Sequence, residues 1–138
     1  MLEREFWAKV KDKLTKEGCQ CTRIETGSTE LGVPDVFVQG HGGDVWLELK
    51  SESVHIKGKE KVKVHWRKGQ LAWALVYNKI HHNKCTYTIA RFEDGVLIIP
   101  MTCTNILKIE ENYVPISCGI VVEHKDWKTL DLASFILK

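Results

Sequence analysis

Near the N-terminus, apolar residues recur at three- and four-residue intervals. Phe6, Trp7, Val10 and Leu14 mark one face of a helix over residues 3–17, and Gly18 stands where a C-terminal cap belongs. The period then shortens. Residues 19–24 are short and β-compatible, an edge strand, and 26–32 form a polar loop containing glycine. Residues 34–39 (PDVFVQ) and 44–50 (DVWLELK) read as two strands, and Gly40-His41-Gly42-Gly43 between them signals a hairpin. Residues 51–66 form a long basic loop, partly extended. Residues 67–80 return to helical spacing, with Leu71, Ala74, Leu75 and Asn78 on one side. A strand over 85–91 turns at Glu93-Asp94-Gly95 into a second over 96–99, closed by Pro100. A short helix over 105–109, a short strand over 120–123 and a closing helix over 127–137, with Asp126 as its N-cap, complete the pattern. With no repeat or linker, the expectation is one α/β domain over residues 1–138.

Composition narrows this picture. The chain has 138 residues, 43% hydrophobic and 28% charged, which suits a globular domain and excludes a disordered or collagen-like one. Five cysteines, an odd number widely spaced, make no disulfide framework. Cys19-Gln20-Cys21 lacks the second ligand pair of a zinc site, so no zinc is expected. His81-His82 reads as helix-end surface. The N-terminus is charged from Glu3 onward, unlike a signal peptide. No apolar run approaches the roughly 20 residues that cross a bilayer. A cytoplasmic protein without membrane contact is expected.

The net charge of +2 indicates no partner until it is resolved along the chain. Residues 50–68 hold seven basic side chains against Glu52 and Glu60, so this segment carries +5 and the remainder −3. Lys57, Lys59, Lys61 and Lys63 alternate, and if extended they line one face. With His65, Arg67 and Lys68 they suit a phosphate backbone, and Trp66 adds stacking capacity. Nothing resembles a base-reading helix, so recognition of backbone and shape is expected.

The candidate chemistry lies just upstream. In a strand, residues two apart share a face, so Glu48 and Lys50 project together while Leu47 and Leu49 point oppositely. A carboxylate and an amine within an apolar run are costly as mere structure. If His41-Gly42 are the central turn residues, Asp35 falls opposite Glu48, with Cβ atoms about 4.5–5.5 Å apart. Two such carboxylates repel unless a cation lies between them, and a hard divalent ion suits their oxygens. On a helix, Glu3 falls within about 20° of Val10, on the core-facing stripe, whereas Glu5 falls on the far side.

Glu3-Arg4-Glu5, Gly27-Ser28, Gly32-Val33-Pro34-Asp35, Glu48-Leu49-Lys50, and Gln70 with Trp73 together resemble the PD-(D/E)XK nuclease superfamily. The closer likeness is to its VRR-NUC and Holliday-junction-resolvase-like branch, over about residues 3–80. The resemblance implies a restriction-endonuclease-like α-β-β-β-α-β core, a mixed central sheet flanked by helices. It implies Mg²⁺, with Mn²⁺ able to substitute, held by Asp35, Glu48, the backbone carbonyl of Leu49, and Glu3. Lys50 would orient or activate the attacking water, and Gln70 would fix water or a carboxylate. The implied partner is branched DNA, cut by a homodimer, and a bacterial or phage origin is suggested. The apolar stretch 96–99 and the C-terminal helix are candidate dimer surfaces. A less selective nicking or end-trimming nuclease shares every motif, and a non-catalytic DNA-binding module retaining the fold is the third reading.

Overall fold

A computed structural model describes residues 1–24 and 32–137. Helix α1 spans Glu3–Lys16 and buries Phe6, Val10 and Leu14, the stripe expected from the spacing. Each such side chain contributes about 1.5–3 kcal/mol relative to exposure. Acidic Glu3 and Glu5 lie in its first turn and basic Lys13 and Lys16 in its last, matching the helix dipole. The Leu2 N–H donates to the Glu5 carboxylate at 3.2 Å. Gly18 leaves the helix at φ +90°, as a capping glycine does.

Strands β1 (Gln20–Arg23), β2 (Val36–Gly40) and β3 (Gly43–Ser51) form an antiparallel meander. The hairpin turns on His41 and Gly42. Its register pairs Gly40 with Gly43 and Val36 with Leu47, so one further step sets Asp35 opposite Glu48. After β4 (Lys61–Lys63) and helix α2 (Gln70–Ile80), strand β5 (Thr86–Phe92) returns parallel to β3. Strand β6 (Gly95–Met101) and, later, β8 (Ile120–Val122) complete a six-stranded mixed sheet in the order β1-β2-β3-β5-β6-β8. The order α1-β1-β2-β3-α2-β5 is the expected restriction-endonuclease-like core.

Several expectations are corrected. The basic stretch 51–66 is partly extended as expected, but its β4 pairs with β7 (Tyr113–Pro115), unforeseen from the pattern, in a second small sheet. Ile56, Val62, Val64 and Trp66 are buried there, an apolar alternation masked by the lysines. Strand β6 runs through Pro100, paired with Tyr87, instead of stopping before it. Because β8 pairs only with Val96, Leu97 and Ile98, Pro100 lies where β6 is an edge and a missing N–H is tolerated. The short helix comes earlier than expected, as α3 (Cys103–Leu107). The expected closing helix over 127–137 shrinks to α4 (Leu132–Ile136), capped by Asp131, whose carboxylate accepts from the Ser134 N–H at 3.1 Å. Asp126 instead ends a single 3-10 turn. The two candidate dimer surfaces are interior: Val96, Leu97, Ile98 and Ile99 are at most 2% exposed, and Leu132, Ile136 and Leu137 pack into the core. The loop expected over 26–32, apart from Gly32, and Gly27-Ser28 lie outside the described residues. Among the described residues no helix is long and apolar enough to cross a membrane.

The large sheet has a core on each face. Val36, Val38, Val45, Leu47 and Leu49 pack with α1 and α4 on one side. Ala90, Phe92, Leu97 and Ile99 pack with Ala74 of α2, Ile106 of α3 and the second sheet on the other. Glu48 and Lys50, alternating with Leu47 and Leu49, fall on the second side.

Candidate active site

Strand alternation decides which side chains meet. Asp35 and Phe37 from the β2 segment share a face with Trp46, Glu48 and Lys50 of β3, and α2 lies over them. Trp73 docks the helix edge-on against Trp46, ring centroids 5.9 Å apart, and stacks on Tyr77 at 5.5 Å. One turn earlier, the Gln70 amide donates to Glu48 Oε2 at 2.9 Å, while its oxygen accepts from the Arg67 N–H at 2.7 Å. Two glycines permit this docking. Gly69 begins α2 at φ +88°, and Gly32, at φ +90°, lies so close to the Gly69 carbonyl that a Cβ would overlap it. The Pro34-Asp35 segment and the start of α2 are thereby held together.

The polar cluster is buried and crowded. Glu48, Lys50 and Gln70 are 5–6% exposed. Lys50 Nζ lies 3.4 Å from Glu48 Oε2, and Asp35 Oδ2 accepts from the Leu49 N–H at 3.1 Å. The other oxygen, Glu48 Oε1, is buried with no hydrogen-bond partner. Burial first, then the charge of Asp35 opposed by Lys50, pushes the Glu48 carboxyl up to about 8. Glu3, from the first turn of α1, reaches the same region: partial burial and then Asp35 raise its carboxyl, against the lowering effects of Lys50, Arg67 and Arg23. Its side chain stays at the solvent-facing rim. Among the described residues, no three His, Cys, Asp or Glu side chains are gathered closely enough to hold a metal ion. Two facing carboxylates, one with an orphaned oxygen, are nevertheless the donor set and charge imbalance that a divalent cation relieves, so these residues fit such an ion.

Beside this cluster opens a cleft of about 450 Å³, lined by Glu3, Lys50, Ser51, Glu52, His65 and Arg67, among others. The basic residues separate into groups. Lys61, Lys63, His65 and Arg67 alternate with buried Val62, Val64 and Trp66, so one edge of the extended segment presents the four and leads into the cleft. Lys57 and Lys59 instead flank a turn at Gly58, φ +79°, and Lys68 is exposed just before α2. The single row expected over Lys57–Lys63 is therefore broken, because a left-handed glycine interrupts the extended backbone. Trp66 anchors the edge: its indole N–H donates to Thr88 at 3.1 Å, and Thr88 is the β5 neighbour of Glu48. Sequence reasoning passed over Glu52, buried at the cleft. Its signal was the same two-residue spacing, since positions 48, 50 and 52 share a face.

No family model and no curated protein matches the sequence. Among solved structures, the fold is similar to that of Hjc, a Holliday junction resolvase from the archaeal hyperthermophile Archaeoglobus fulgidus. The TM-score is 0.56 at 10% sequence identity, over 96% of this chain and 98% of that one. The chain thus has a restriction-endonuclease-like fold of the resolvase type, its six-stranded mixed sheet flanked by helices.

Proposed function

We propose that this chain is a divalent-metal-dependent nuclease that hydrolyses phosphodiester bonds of branched DNA, with residues 1–138 as one catalytic domain acting in a homodimer. The observation that carries the reading is the buried Asp35–Glu48–Lys50 cluster, in which Glu48 Oε1 has no partner. The fold's likeness to a Holliday junction resolvase supports branched DNA as substrate. The motif residues support the PD-(D/E)XK assignment and, on the sequence resemblance alone, its VRR-NUC branch. A symmetric junction calls for two cuts, which C₂ pairing supplies.

Asp35 and Glu48 would hold Mg²⁺ or Mn²⁺, with the Leu49 carbonyl and Glu3 as further donors. Such an ion, when bound, lowers the pKa of water and offsets phosphate charge. Lys50 orients the attacking water and balances charge on the phosphate. Gln70 keeps Glu48 turned toward Asp35, and the Arg67 N–H keeps Gln70 in place. Lys61, Lys63, His65 and Arg67 line the approach of the phosphate backbone, with Lys57, Lys59 and Lys68 adding charge at its margins.

The test is a panel of four-way junction, flap, duplex and single-stranded DNA with Mg²⁺ and with EDTA, using wild type, Asp35→Asn and Lys50→Ala. Junction cleavage that needs Mg²⁺ and is lost in both variants, with DNA binding retained, is the expected result. Equal cutting of all four substrates favours the less selective nuclease. Binding without cleavage, and no thermal stabilisation by metal, favours the non-catalytic module.

A further inference from the structure

We propose that His65, oriented by Glu52, is a further catalytic residue of this site, the general base that accepts a proton from the attacking water. The assignment rests on the nuclease reading above. Glu52 follows Lys50 by two residues, just past β3, and its side chain is only 6% exposed. Among the described residues its sole ion-pair partner is His65. The Glu52 carboxylate accepts from the His65 backbone N–H at 2.9 Å through Oε2, and Oε1 meets the ring at Nδ1. Both oxygens of this buried carboxylate are thus committed to His65. The ring it holds is 68% exposed and opens on the cleft shared with Lys50.

The backbone under His65 is fixed on both sides. Val64 is fully buried and its N–H donates to the Asn112 carbonyl at 2.9 Å. Trp66 is buried, bonded to Thr88, and its carbonyl accepts from the Asn112 amide at 3.0 Å. The ring is thus pre-positioned without tethering its outer edge. A carboxylate at Nδ1 favours the tautomer carrying its proton there, which leaves the Nε2 lone pair free as a proton acceptor. Among the described residues Nε2 has no partner. Lys50 Nζ is held against Glu48 Oε2 at 3.4 Å, a position suited to orienting water. The charged side chains lining the cleft with His65 are Glu52 from just past β3, Lys50 of β3, Glu3 from α1 and Arg67 from its own segment, two of each sign, and Lys63 precedes it on the same edge.

In the step, one O–H bond of water breaks and its proton passes to Nε2, while the oxygen forms a new bond to phosphorus. The P–O bond to the leaving sugar oxygen breaks with its electron pair on that oxygen, which takes a proton from solvent. The imidazolium returns its proton to solvent. No oxidant, reductant or further co-reactant is required.

The experiment is single-turnover, Mg²⁺-dependent cleavage of the best substrate in the panel by wild type, His65→Ala, and His65→Gln, whose amide can still reach Glu52. Expected is a loss of about 10²–10³-fold in the cleavage rate at saturating DNA, beyond whatever affinity is lost. Added imidazoles should restore activity to His65→Ala in order of their basicity. Glu52→Gln, a positioning change, should lower the rate of wild type but cost nothing further in His65→Ala. Wild-type rates in either folded His65 variant overturn the assignment. So does a defect confined to affinity, or a rate loss that imidazoles do not restore. An inactive wild type overturns the nuclease reading and this assignment together, which separates that failure from an active enzyme indifferent to His65.

Discussion

Glu48→Gln tests the electrostatics of the site without any substrate. Glu48 is 5% exposed, and burial followed by the Asp35 charge moves its carboxyl from the ordinary 4.5 up to about 8. A raised carboxyl pKa means that the folded state binds the proton more tightly than the unfolded state. Stability then falls as pH rises from about 4.5 to about 8. At pH 7 the cost is about 3 kcal/mol, approaching about 5 kcal/mol above pH 8. Glutamine is a neutral isostere that does not titrate. Whatever fixed offset the substitution introduces, the variant should therefore gain about 3 kcal/mol relative to wild type between pH 4 and pH 7. For a chain of this length that is about 10 °C in Tm. The assay is urea or thermal unfolding of both proteins across pH 4–8.5 in EDTA, repeated with Mg²⁺ or Mn²⁺. Divalent ion should restore stability to wild type at pH 7 and leave Glu48→Gln largely unmoved. A stability difference that stays flat across the pH range would refute the crowded-carboxylate account of the site.

The approach of the nucleic acid and the docking of α2 can be probed separately. Lys61→Ala combined with Lys63→Ala should weaken DNA binding and reduce the slope of log affinity against log salt by up to about two, measured by fluorescence anisotropy, while Lys79→Ala, on the far end of α2, should leave the slope unchanged. Gly32→Ala forces a left-handed backbone on alanine and drives its Cβ into the Gly69 carbonyl, which has no flexible side chain to yield. Its cost should be about 2–5 kcal/mol by urea unfolding, and stability equal to wild type would show that the two segments are not in contact.

Much of the site was legible because β structure is periodic. The two-residue alternation of β3 places Glu48 and Lys50 together, and a two-residue turn at His41-Gly42 suffices to predict the register that brings Asp35 to Glu48. The helical spacing of Phe6, Val10 and Leu14 likewise predicts the buried face of α1 and the placement of Glu3 near the sheet. Each inference needs only neighbours in sequence or across one tight turn.

What was not legible depends on contacts between distant segments. The 51–66 stretch looks like a solvated basic loop because its buried residues are isolated between lysines; only pairing with Tyr113–Pro115, some fifty residues later, makes β4 a strand. The closing helix starts later than Asp126 implies because only the fold shows that Asp131 caps it and that Asp126 ends a 3-10 turn. Glu52 counted merely as a negative charge until the returning segment set His65 against it. Local periodicity and turn chemistry thus determine the meeting of Asp35 with Glu48 and Lys50 of β3 on a common face. The burial that perturbs Glu48, the closure of Gln70 over it and the Glu52–His65 pair are decided by tertiary structure, because desolvation and long-range pairing exist only once remote parts of the chain have packed together.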